Sequence, residues 1–63
     1  MPHPDAAALS SVQSDLEQLI TRIVAIGDVH RPDPDDVLVV QLDELERSLR
    51  AATRRLERTI RSL

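Results

Sequence analysis

Between Leu38 and Leu63 small or apolar residues recur at alternating intervals of four and three: Leu38, Leu42, Leu45, Leu49, Ala52, Leu56, Thr59 and Leu63. Residues three and four apart share one face of an α-helix, so this interval describes a heptad seam along a single long helix. The same spacing runs through Leu9, Val12, Leu16, Leu19, Ile23 and Ile26. Two amphipathic helices are therefore expected, separated by the short interval from Gly27 to Asp33. A link of that length makes antiparallel neighbours of the helices it joins. The fold class predicted is all-α, a helical hairpin in one domain over residues 1–63.

Local signals place the ends. Met1-Pro-His-Pro4 reads as an extended tail, because proline disfavours helix in the residue before it. Asp5 is a good N-cap ahead of Ala6, Ala7 and Ala8, and Gly27 follows Ile26 where a left-handed glycine can close a helix. The first helix is thus expected over about 6–26 and the connection over 27–33. Asp33 as N-cap, Pro34 at the first helical position and Asp35 and Asp36 in the first turn predict a second helix over about 34–62. The β-branched run Val37-Leu-Val-Val40 leaves a short strand as the alternative at that point.

Folding at the predicted loop opposes residues whose numbers add to 64 or 65: Ile26 with Leu38, Ile23 with Leu42, Leu19 with Leu45, Leu16 with Leu49, Val12 with Ala52 and Leu9 with Leu56. In heptad notation Leu9, Leu16, Ile23, Leu42, Leu49, Leu56 and Leu63 are a, and Val12, Leu19, Ile26, Leu38, Leu45, Ala52 and Thr59 are d. Ile20, Val39 and Ile60 then fall at e, so the apolar stripe is wider than one two-helix seam requires. Val24, Val29, Val37 and Val40 add apolar surface near the loop. A face of this width predicts a second contact. The expected arrangement is a homodimer forming a four-helix bundle, with docking onto another protein's helices as the rival. The interface expected comprises Leu9, Val12, Leu16, Leu19, Ile20, Ile23, Val24, Ile26, Leu38, Val39, Leu42, Leu45, Leu49, Leu56 and Ile60.

Size and composition point the same way. The chain has 63 residues, no cysteine and no aromatic residue. A chain this short gains only ~3–5 kcal/mol from its own core, and disulfides and thiolate zinc sites are excluded as substitutes. Oligomerisation is the remaining common route. Without aromatic rings the chain also lacks the platforms on which nucleobases stack.

Charge is unevenly distributed. Residues 1–36 carry seven acids against Arg22 and Arg31, whereas residues 37–63 carry four acids against six arginines. The arginines of the second helix lie mostly opposite its seam, which makes contact with a nucleic-acid duplex the second functional expectation. Asp43 with Arg47, Glu46 with Arg50 and Glu57 with Arg61 are favourable i,i+4 pairs on a solvated helix face. Arg54, Arg55 and Arg58 have no such partner and are the candidate anion contacts. Asp28, His30, Asp33, Asp35 and Asp36 gather near the loop, but their spacing matches no calcium loop and capping explains three of them.

Two histidines and no cysteine, tyrosine or lysine make a poor catalytic inventory. The function expected is therefore non-enzymatic: a small protein-interaction or regulatory module acting through helix–helix association, with no cofactor or metal. No stretch resembles a signal peptide or a membrane span, so a cytoplasmic location without membrane contact is the default.

Overall fold

A computed structural model describes residues 3–33 and 35–63. Two helices of 25 residues each, α1 (Ala6–His30) and α2 (Val37–Arg61), pack side by side as a hairpin. Its extents of 52 × 15 × 9 Å are those of a two-helix slab. No strand occurs among the described residues, and Val37 to Val40 form the first turn of α2.

α1 starts where Asp5 predicts, but the Asp5 side chain makes no capping hydrogen bond; its carbonyl accepts from the Leu9 amide at 2.9 Å. At the other end the helix does not stop at Ile26. Gly27 has a negative φ and continues the helix for another turn. That turn carries His30 and the adjoining Arg31 into contact with α2's end of the hairpin. His30 Nδ1 lies 3.0 Å from Asp36 Oδ2, and Arg31 reaches Asp28 and Asp43 at 3.3 and 3.1 Å. Together these contacts offset the ~1 kcal/mol disadvantage of glycine inside a helix.

The start of α2 also differs from expectation. Asp36, not Asp33, is the N-cap: its backbone is extended and its Oδ1 accepts from the Leu38 amide at 3.0 Å. Asp33 closes a turn before the helix, accepting from the Asp35 amide on Oδ1 and from the Asp36 amide on its carbonyl. The role proposed for Pro34 lies outside the described residues.

These shifts change the register. α1 gains four helical residues at its end and α2 loses three at its start, which moves the fold point along the chain. Gly27 now lies across from Leu42, and Gln13 Nε2 donates to Glu57 Oε1 at 3.0 Å, so opposed residue numbers add to 69 or 70 where 64 or 65 was expected. Ile26, Leu38, Leu19, Leu45, Val12 and Ala52, which were expected to pair, are all exposed.

The buried columns differ as well. On α1 the covered residues are Ala6, Leu9, Gln13, Leu16, Ile20, Ile23, Gly27 and His30, with Val24 beside them, and on α2 Val39, Leu42, Glu46, Leu49, Thr53, Leu56 and Ile60, with Asp43 and Glu57 beside them. In heptad terms the hairpin seam is a with e, not a with d. The burial it achieves is shallow. Among the described residues Ile20 at 4% and Thr53 at 7% exposure are the most enclosed side chains, and none falls below 2%.

Candidate association surface

With a and e turned inward, the d column is left outside. Val12, Leu19 and Ile26 on α1 are 46, 45 and 49% exposed, and Leu38 and Leu45 on α2 are 38 and 45% exposed. Ala52 and Thr59 continue the column and are exposed too. The two d columns belong to one surface. On a helix d lies to one side of the a/e seam and b to the other, and in an antiparallel pair the d sides of both helices fall on the same flank. The register then brings Ile26 to within about one residue of the level of Leu45, Leu19 of Ala52, and Val12 of Thr59.

The opposite, b flank is polar, and it carries the links between the helices. Arg31 and Asp43 are b residues, and Gln13 donates across the seam to the b residue Glu57. Beside them runs an open trough lined by Glu17, Ile20, Arg50, Thr53, Arg54 and Glu57. The Asp43 and Asp28 carboxylates, Asp43 first, hold the Arg31 guanidinium above its ordinary pKa. One flank of the hairpin is thus cross-linked by polar groups and the other is a bare apolar stripe two helices wide.

The residues expected at an interface therefore separate into two sets. Leu9, Leu16, Ile20, Ile23, Val39, Leu42, Leu49, Leu56 and Ile60 line the hairpin's own seam, and Val24 is half-covered beside it. Val12, Leu19, Ile26, Leu38 and Leu45 form the outward stripe. At the loop end Val29, Val37 and Val40 stay at 75, 66 and 59% exposure.

The arginine face is barer than the sequence suggests. Of the three expected i,i+4 pairs only Glu46 with Arg50 forms, at 2.9 Å. Asp43 is taken by Arg31 and Glu57 by Gln13, both in links between helices. Among the described residues no carboxylate comes within ion-pair distance of Arg47, Arg54, Arg55, Arg58 or Arg61. The cue to these links was in the sequence, since polar residues at b and e beside an apolar seam mark a flank that bridges helices. The carboxylates of Asp28, Asp33 and Asp36 are occupied in an ion pair, a turn and a cap. Among the described residues no three metal-ligating side chains lie together.

No helix among the described residues is long and apolar enough to cross a membrane. Comparison with protein-family models, curated proteins and solved structures returns no match.

Proposed function

We propose that this protein is a non-enzymatic association module, a small interaction or regulatory element that acts by burying the d stripe against other helices. The observation that carries the reading is the stripe itself: Val12, Leu19, Ile26, Leu38 and Leu45 project from one flank while the hairpin encloses little more than Ile20 and Thr53. A helix whose apolar face exceeds what its neighbour covers gains by covering the rest, at roughly 25 cal/mol per Å². The mechanism is surface burial, and the specificity comes from the charges that flank it.

Sedimentation equilibrium over a dilution series tests this. The expected result is a mass above the 7.1 kDa of one chain, reverting to one chain when Leu19 and Leu45 are both replaced by Asp. A native chain that stays a helical monomer at millimolar concentration overturns the reading.

One observation favours a second reading. The five arginines of α2 without carboxylate partners form an exposed cationic face suited to the phosphates of a duplex. Replacing Arg54, Arg55 and Arg58 with Gln would then weaken duplex binding and flatten its salt dependence with the helicity unchanged. Binding that is indifferent to these changes removes it.

A further inference from the structure

We infer that the occupant of the d stripe is a second copy of this chain, lying antiparallel to the first with its loop at the opposite end. The inference rests on the association reading above and adds the partner and its orientation.

The first argument is area. A compact monomer of 7.1 kDa exposes about 4,100 Å², whereas this chain exposes 4862 Å². The excess is close to the ~800 Å² that one partner contributes to a standard protein interface. Covering one flank of the slab with a second copy would bring the exposed area per chain back toward that of a compact protein.

The second argument is charge. Asp28, Asp33, Asp35 and Asp36 make the loop end acidic against Arg31, while Arg54, Arg55, Arg58 and Arg61 outnumber Asp5, Asp15 and Glu57 at the open end and leave it weakly basic. A parallel dimer stacks each end on its like. The antiparallel dimer sets each acidic end beside the basic end of the other copy.

The two arrangements give the rim of the stripe different ion pairs. Asp15 and Arg22 are exposed g residues on the rim of the d stripe, one heptad apart on α1, too far along the helix to pair with each other. They sit on either side of Leu19. A two-fold axis through Leu19 brings Asp15 of each copy to Arg22 of the other and leaves Arg55 against Ser48. A parallel dimer brings Asp15 to Arg55 of the second copy and leaves Arg22 against Ser48, so the partner of Asp15 distinguishes the two arrangements.

Side-chain size agrees with charge. About the axis at Leu19, the bulky layer of Ile26 and Leu45 falls on the slimmer layer of Val12 and Thr59 in the second copy, and the two central layers of Leu19 and Ala52 meet. Large against small keeps the thickness even along the bundle. The parallel dimer stacks bulky on bulky at the loop end and slim on slim at the open end.

Two measurements on the full chain decide it. Asp15→Arg is expected to raise the dimer dissociation constant roughly tenfold by setting like charges in register twice. Adding Arg22→Asp should restore it, and adding Arg55→Asp should not. The chain has no cysteine, so a spin label on Ser62→Cys reports the arrangement independently. Labels about 30 Å or more apart are expected, because Ser62 lies ten residues beyond Ala52 in each copy at about 1.5 Å per residue, against about 25 Å or less in the parallel dimer. A dimer with close labels, or one rescued by Arg55→Asp instead of Arg22→Asp, overturns the antiparallel arrangement and leaves association standing. A chain that remains monomeric overturns the association reading itself.

Discussion

Gly27 sits in the last stretch of α1, buried on the seam, with helical backbone and no positive φ. A Cβ placed there would meet Arg31 Nη2 at 3.7 Å and Leu42 Cδ1 at 3.9 Å, both ordinary van der Waals contacts. The glycine therefore provides neither a left-handed turn nor a close approach at this position. Gly27→Ala should stabilise the hairpin by about 0.5–1 kcal/mol through helix propensity alone, read from urea unfolding at fixed protein concentration. A loss of stability would mean that the C-terminal turn of α1 is less regular than described. The two aspartates at the start of α2 offer a second contrast. Asp36 carries both the capping bond to Leu38 and the pairing with His30, so Asp36→Ala should cost about 1 kcal/mol or more. Asp33→Ala removes an exposed turn bond and should cost clearly less. Equal losses would restore Asp33 as the cap.

Between the elements, two kinds of contact hold α1 to α2, and they differ in how they respond to salt. The Arg31 to Asp43 pair is half-exposed on both sides, and solvent screens such a pair. Asp43→Asn should therefore destabilise only slightly, with the effect largely gone in 1 M salt. Ile20 is the most enclosed apolar side chain, and Ile20→Ala should cost about 2 kcal/mol or more at any ionic strength. Paired unfolding curves at low and high salt check both. The polar links nonetheless decide something the apolar contacts do not. Each helix presents three candidate columns, a, d and e, and a hairpin can close on a with d or on a with e. Arg31 with Asp43 and Gln13 with Glu57 all lie at or beside the b flank, and drawing that flank together rolls the d columns outward.

At the scale of the molecule, a two-helix slab with so thin an interior has little stability in reserve. If the d stripe is covered by association, unfolding is linked to dissociation, and the melting temperature should rise with protein concentration. A scan from micromolar to millimolar by circular dichroism measures this. A melting temperature independent of concentration would place all the stability within one chain. Arg47, Arg54, Arg58 and Arg61 are not expected to affect this behaviour, because they lie at c and f, away from the stripe.

The two helices and their antiparallel pairing were legible in the heptad spacing of Leu9 to Ile26 and Leu38 to Leu63, because only an α-helix gathers residues three and four apart on one face. Asp5 at the start of α1 and the end of α2 near Leu63 were legible for the same local reasons. The position of the turn was not, because Gly27, Asp33 and Asp36 each carry signals that suit more than one role. The choice among them depends on contacts of His30 and Arg31 with residues across the loop. The choice of seam was hidden for a related reason. By apolarity alone d is a better column than e, which contains Gln13, Gly27, Glu46 and Thr53. Burying e becomes favourable only when the b-flank links and the small residues of that column act together, and that is a property of two helices already in contact. The sequence by itself determined that there would be two amphipathic helices with more apolar surface than one hairpin can cover. The tertiary structure alone decided which part of that surface faces outward.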